Sequence, residues 1–283
     1  MMKRFLGFAA ALTLAATPAV AGGHAGTMGY ALANDGKTLA VMVDIAKPTK
    51  LRTYDLAQPL AAIAYRPVTG DLLGFTNGKI FTVDPSSGKL TDLGAKFTDS
   101  TEISGDAAIA FDFNNKIDAV RAVSSNGDNL VYFPIGFGDN DQRANSVLRF
   151  TNLAYEDGDN SAGTDPVVFA NAYTNAINGK KASGTFQYAL DARANALISL
   201  ANNAGTLKTV GLVKIDGQPA DILPMGGFDI VSPEEGTDQA YAILQIDGQD
   251  SAGLYGIDLK TGDAALLADL GMGGFTGFAV SKQ

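Results

Sequence analysis

The residues that could do chemistry are polar side chains set at intervals in otherwise apolar runs. Tyr65, Arg66, Asp112, Tyr173, Asn175 and Asp229 each lie at or near such a run, and Arg121 interrupts another. If those runs converge on one mouth, aromatic rings, guanidinium groups and carboxylates would surround a ligand. Two carboxylates at a set separation would give a metal- or carboxylate-dependent hydrolase or lyase. The plainer reading makes them rim and turn residues that cap strands. For Arg121 it lets the stem pack while the head meets a carboxylate such as Asp112 or Asp118. The sharper reading of Arg121 is an anion-binding group at a ligand site.

A second set is acidic. Asp157, Asp159, Asn160 and Asp165 alternate with small residues in EDGDNSAGTDP, and Asp139, Asn140 and Asp141 lie close by in sequence. Oxygen-rich, glycine-containing loops suit calcium, which takes six to eight oxygen ligands. The spacing is not that of an EF-hand, which needs Gly at its sixth and Glu at its twelfth position. The fold requires no cofactor on this reading, and calcium is the ion the loop would accept. The competing reading is a solvated loop. His24 is the single histidine, and there is no cysteine or tryptophan. Disulfides, thiolate catalysis and cysteine metal sites are therefore excluded. No nucleophile elbow, Walker or Rossmann fingerprint occurs in a strand–turn–helix context. Together these absences favour a non-catalytic protein.

The amino terminus predicts a compartment. Lys3 and Arg4 precede an apolar stretch over 5–16, and Ala19-Val20-Ala21 satisfies the small-x-small rule for signal cleavage. The expected division is a cleaved signal peptide over 1–21 and one domain over 22–283, in the periplasm or secreted. Losing Lys3 and Arg4 takes the formal charge from −9 to −11. So acidic a chain is a poor partner for nucleic acid or anionic membrane. No membrane span is expected after cleavage. The expected partner is a small molecule, a glycan or a protein, met by a monomer.

The elements that must position these residues are short strands. The runs 61–66, 71–76, 79–84 and 89–93 follow one another through Pro67-Val68-Thr69-Gly70, Asn77-Gly78 and Pro85-Ser86-Ser87-Gly88, a four-stranded meander. Its opening phrase recurs. AIAYRP at Ala62 is echoed by AIAFDF at Ala108, ANAYTN at Ala170, GGFDIV at Gly226 and TGFAVS at Thr276. A four-strand unit repeating about every 50 residues is the signature of a β-propeller. The last phrase has no partners after it; the strands at 27–33, 38–44 and 50–56 would complete its blade. The expected fold is all-β, a propeller of about five or six four-stranded antiparallel blades whose termini share one blade. The alternative is a β-sandwich.

The stretch 108–134 is the fullest copy of the unit. Its FDFN, D-x-V-R-x-V-S and N-G-x-N-L phrases comprise Phe111, Asp112, Phe113, Asn114, Asp118, Arg121, Val123, Ser124, Gly127, Asn129 and Leu130. With LAAIAYRPVTGDLLGFTNGKIFTVDPSSG at 60–88 and VVFANAYTN at 167–175, this stretch resembles the bacterial secreted domain-of-unknown-function family 4394. The resemblance implies a secreted, propeller-like β domain and brings no established activity. The chain departs from it after Leu130, where VYFPIGFGDND replaces an Arg- and Pro-containing strand end. The functional expectation is an exported, non-catalytic binding or interaction module. The alternative is the hydrolase or lyase at the axial mouth.

Overall fold

A computed structural model of the chain describes His24 and residues 26–48, 50–103 and 105–282. The signal segment expected over 1–21 lies outside the described residues. The repeated opening phrases are the inner strands of five blades. Blade 1 is β4 (Ala62–Tyr65), β5 (Leu72–Thr76), β6 (Lys79–Val83) and β7 (Leu90–Asp92). Blade 2 is β8 (Ile109–Asn114), β9 (Ala119–Ser124), β10 (Asn129–Phe133) and β11 (Ser146–Arg149). Blade 3 runs β13 (Val168–Tyr173), β14 (Gln187–Asp191), β15 (Ala196–Leu200) and β16 (Thr206–Leu212), with β12 (Ala154–Tyr155) added parallel to β16. Blade 4 runs β19 (Ile222–Glu234), β20 (Thr237–Ile246), β21 (Gly253–Ile257) and β22 (Asp263–Asp269). Its outer edge gains β17 (Lys214–Ile215) and β18 (Gln218–Pro219). Blade 5 joins the carboxy-terminal β23 (Gly277–Lys282) to β1 (Thr27–Ala33), β2 (Thr38–Met42) and β3 (Leu51–Asp55).

The inner strands touch in a closed ring, β4 to β8 to β13 to β19 to β23 and back to β4. Each is buried on both faces, so each reads as a nearly continuous apolar run, whereas outer strands such as β3 and β22 are largely exposed. The core is five seams between blades. Leu73, Phe75 and Ile80 pack on Phe111, Phe113 and Val120 between blades 1 and 2. Leu190 and Leu197 meet Phe228 and Ile230 between blades 3 and 4. Val231, Tyr241 and Ile243 meet Met42 and Phe278 between blades 4 and 5. Tyr30, Leu32 and Leu39 meet Ile63, Leu72 and Phe81 between blades 5 and 1. Gly227 lets β19 and β23 approach at the axis, where a methyl group would run into the Phe278 backbone.

One stretch divides between two blades. The run over 147–155 gives β11 on blade 2, then leaves it after Arg149 and ends as β12 on blade 3. The break falls where Phe150 N–H bonds the Asn129 carbonyl and Leu153 N–H bonds that of Gly127, carrying the chain across the seam.

Closure depends on β23, which pairs with β1 from Thr27↔Lys282 to Leu32↔Gly277. Without it, β1 becomes an inner edge with unpaired backbone groups, and Phe278 and Val280 leave the core. Deleting 274–283 is expected to lower unfolding free energy by at least about 3–6 kcal/mol, from those two side chains alone. Urea denaturation of the truncated and intact chains checks this; coincident midpoints would contradict closure by β23.

Candidate functional site

The inner strand of a propeller has one edge against its own blade and one facing the axis. Axis-facing N–H groups have no ladder partner, and buried donors left alone are costly. Two of the singled-out residues answer this. Asp112 on β8 accepts the Tyr173 N–H of β13 at 2.7 Å through Oδ2. Asp229 on β19 accepts the Val280 N–H of β23 at 2.6 Å through Oδ2, and the Ile230 N–H at 2.7 Å through Oδ1. Each carboxylate thus latches its own blade to the next. Both are buried, at 5% and 4% exposure. Burial raises the Asp112 pKa well above the carboxylate range, Asp229 adds to that rise, and the N–H bonds from Tyr173 and Phe113 oppose it. Burial likewise raises Asp229 to about 7, against the Val280 and Ile230 N–H bonds.

The axis itself is almost filled. Residues of all five inner strands, among them Ile63, Phe111, Asn171, Phe228 and Phe278, enclose a cavity of only about 10 Å³. That is room for about one water molecule.

The mouth at the carboxy-terminal ends of the inner strands is spanned by the β13–β14 connection, 174–186. From blade 3 it reaches every other blade. Gly179 N–H bonds the Pro67 carbonyl of blade 1, and Ala182 N–H the Asn115 carbonyl of blade 2. Ala176 N–H bonds Ser232 Oγ of blade 4 at 3.0 Å. Asn178 Nδ2 bonds the Lys282 carbonyl of blade 5. Asn175 anchors its start in the left-handed region (φ 60°), donating its N–H to Asp238 and accepting the Gly236 N–H. Arg66 makes a bidentate pair with Asp118, 2.8 and 2.5 Å, joining blades 1 and 2. Tyr65 stacks on Tyr30, rings 6.2 Å apart.

Arg121 meets neither Asp112 nor Asp118. It lies opposite Asp112 in register, on the face of blade 2 turned toward blade 3. Nε donates to Tyr173 Oη at 2.8 Å, Nη1 to Asn129 Oδ1 and Nη2 to Asn203 Oδ1 at 2.8 Å. Phe150 lies under the guanidinium at 5.9 Å. A buried cation is thus held by neutral acceptors. Asn171 lies two residues from Tyr173, and Gln187 is the cross-strand partner of Tyr173, so both share the face of blade 3 that Tyr173 turns toward this seam. Both residues are 1% exposed, and neither carboxamide finds a hydrogen-bond partner among the described residues. This seam sets that polar group beside an apolar cluster that includes Val123, Leu153, Val168, Ile198 and Leu207. Asp112, Arg121, Asn129, Asn171 and Tyr173 come from two sequence phrases some fifty residues apart. Neither Asn171 nor Gln187 stands out in the sequence, because each occupies one slot in a strand pattern.

The acidic loops are organised by the protein itself. Asp159 accepts the Thr209 N–H at 2.7 Å, Thr209 Oγ1 at 2.8 Å and the Ser161 N–H at 2.9 Å. Asp157, Asn160 and Asp165 belong to the same turn-rich segment, with Asp157 and Asp165 exposed. Among the described residues no group of three or more acidic, His or Cys side chains could hold a metal. His24 Nδ1 hydrogen-bonds Tyr241 Oη on blade 4 at 2.8 Å.

Fold and seam together define an all-β propeller module. The chain belongs to the DUF4394 family, a domain of unknown function whose model matches residues 39–279. No curated protein matches it in sequence. It is similar to a Bacteroides caccae protein of unknown function, at 8% identity and TM-score 0.41, over 92% of this chain and 100% of that one. It is also similar to an auxiliary nutrient binding protein from Bacteroides ovatus, at 10% identity and TM-score 0.43, over 75% of this chain and 52% of that one.

The burial of these carboxyl groups predicts a pH response. A folded pKa raised above the unfolded one means that the folded state holds the proton more tightly. Stability is then greatest at acid pH and declines as pH rises through about 7. Each proton concerned contributes a slope of up to about 1.4 kcal/mol per pH unit. Urea unfolding between pH 5 and 8 is expected to show this decline, and Asp229→Asn to flatten it. A stability that rises over this range would mean that burial does not raise these carboxyl pKa values.

Removing Arg121 should be severe. Arg121→Met takes the donor from Tyr173 and Asn129, both buried, at about 1–3 kcal/mol each, and from Asn203, which is exposed. A destabilisation of about 3 kcal/mol or more is expected by chemical denaturation. A loss below 1 kcal/mol would mean that the seam does not depend on the guanidinium.

Proposed function

We propose that this protein is an exported, non-catalytic binding module that meets its ligand on its outer surface. The observation that carries this reading is where ligand-sized space lies. The axis holds about 10 Å³ and one of its mouths is spanned by 174–186. The β10–β11 loop borders an open surface hollow of about 490 Å³, lined by that loop alone, Phe137, Asp139, Asn140 and Asp141 among others. Small-molecule sites run to about 300–1,000 Å³.

The loop has internal support. Phe137 meets Phe133 edge-on at 4.8 Å. The Arg143 guanidinium lies 4.7 Å over Phe133 and 5.2 Å over Phe137, and clasps Asp141 at 2.6 and 3.0 Å. Asp139 and Asn140 remain exposed. They offer oxygen acceptors beside an aromatic ring, which suits a small molecule or glycan rich in hydroxyl or ammonium donors. Export is supported by the charged, apolar and small-residue pattern of the amino terminus. No helix among the described residues is long and apolar enough to cross a membrane.

The competing hydrolase or lyase reading draws on Asp112 and Asp229, which interact electrostatically. Their burial on the axis gives no cleft in which a substrate could lie between them.

A glycan array and a thermal-shift panel of polyols and amines test the proposal on the mature chain. A ligand is expected to bind wild type and to be lost from Phe137→Ala and from the Asp139→Ala/Asn140→Ala double variant. The double variant should keep its Tm, because exposed substitutions change stability by about 0.5 kcal/mol or less. Binding that survives in both variants would place the site elsewhere. Turnover of any ligand found would overturn the non-catalytic reading.

A further inference from the structure

His24 is the single histidine of the chain, and it stands third after Ala21, in Gly22-Gly23-His24. Signal cleavage after Ala21 leaves Gly22 as the first residue, carrying the α-amine. Gly23 and His24 each carry a backbone N–H, which a proline at either position would lack. Covalent connectivity then defines a chelate. A metal bound by the Gly22 amine, the amide nitrogens of Gly23 and His24, and His24 Nδ1 closes two five-membered rings and one six-membered ring. All four donors can lie in one plane, and neither glycine has a side chain to crowd it. Gly22 and Gly23 lie outside the described residues, and their part rests on this connectivity alone.

The second observation is the place of His24 in the fold. Strand β1 begins at Thr27, whose N–H bonds the His24 carbonyl at 3.2 Å. The imidazole is half-buried against blade 4. Its Nδ1 hydrogen-bonds Tyr241 Oη at 2.8 Å, and the two rings meet edge-on at 5.5 Å. Tyr241 is itself buried, and its hydroxyl also donates to Gln239 Oε1 at 3.3 Å. Nδ1 is the imidazole nitrogen that closes the six-membered ring; Nε2 would need a larger one. The nitrogen that the chelate requires is therefore the one that blade 4 holds.

We propose that the mature amino terminus, Gly22-Gly23-His24, binds one Cu²⁺ or Ni²⁺ ion in a square plane of four nitrogens. The proposal rests on the export reading, because only cleavage after Ala21 places His24 third. Square-planar nitrogen sets suit these two ions, and copper stands above nickel in the order of divalent affinity. Binding releases the two amide protons, and the extra proton of the Gly22 ammonium, to solvent. The two amide anions then balance the two positive charges of the metal. Three of the donors belong to the main chain, so the site needs no cluster of ligating side chains. Loading takes His24 Nδ1 from Tyr241, so the metal and blade 4 compete for one nitrogen.

The test expresses the full chain with its own leader and no tag, and recovers the exported protein after chelation. Intact mass is expected to start the mature chain at Gly22. Titration with CuSO₄ should give one bound Cu²⁺ per chain, with the visible absorption and electron paramagnetic resonance pattern of a four-nitrogen square plane. Ni²⁺ should occupy the same site and be displaced by Cu²⁺. His24→Ala and Gly23→Pro should each weaken Cu²⁺ binding by about a hundredfold or more, since both remove a direct ligand. Tyr241→Phe should tighten it about two- to tenfold, because no hydrogen bond is then given up. A mature chain that starts at Gly22 and binds no Cu²⁺ overturns the site and leaves the export reading standing. A chain cleaved elsewhere also overturns the site alone, and one left uncleaved overturns both. Binding unchanged in Gly23→Pro would overturn the site too, by showing that the amide nitrogens are not ligands. An affinity no tighter in Tyr241→Phe would overturn the competition with blade 4.

Discussion

Five strand edges point at one axis, and the backbone donors on them must be satisfied without water. That constraint shapes the centre of the molecule. An interior strand in a flat sheet spends both edges on neighbours; an inner propeller strand spends one. Here two of the donors are taken by carboxylates, each reaching from its own blade to the next. The arrangement explains why Asp112 and Asp229 tolerate burial that carboxylates normally avoid. It also explains why their ionisation is bound up with the integrity of the ring. The latches work only if neighbouring inner strands keep their register, which is set by the apolar seams and by β23 pairing with β1.

Much of this architecture is legible in the sequence. An inner strand is buried on both faces, so its apolar run is continuous, and the five opening phrases at Ala62, Ala108, Ala170, Gly226 and Thr276 all fall on inner strands. The orphan last phrase is explained by closure with strands from the other end of the chain. The pattern does not report where a polar group finds its partner. Asp112 bonds a residue 61 positions away and Asp229 one 51 positions away. Arg121 illustrates the difficulty: a carboxylate lies directly opposite it in register, yet its partners are a phenol and two amides. The added strands β12, β17 and β18 escape for another reason. At two residues each, they are too short to carry a periodicity.

The loop 174–186 is the least legible part and has the largest consequence. In sequence it is a glycine- and lysine-containing connection like any other. In the fold it bonds blades 1, 2, 4 and 5 across the end of the axis. Its own Ala176, Ile177 and Ala182 are buried. Its bonds run mostly through backbone groups, which nearly every residue type possesses, so no residue pattern announces them. The choice of Asn175 reflects a local need, a left-handed φ at the point where the chain leaves β13.

Closing that mouth changes what the polar residues near it can do. Tyr65, Arg66 and Asn175 have the chemistry of a binding rim, but each already has a partner within the fold: a stacked ring, a carboxylate, or a backbone group of another blade. A side chain whose hydrogen bonds are already satisfied gains little by exchanging them for a ligand's. The groups that would gain are those with unused capacity, the carboxamides of Asn171 and Gln187 inside the ring and the exposed oxygens of Asp139 and Asn140 outside it. Of the interior pair, Asn171 lines a space with room for about one water, and Gln187 is buried on the next strand of the same blade. The exterior pair lies beside a concavity of ligand size on a loop braced by stacked rings and a guanidinium. The same polar chemistry therefore divides by volume. The axis has no room for a ligand, and its buried groups hold the ring together. What is large enough to be recognised belongs on the outside, where binding need not disturb the latches.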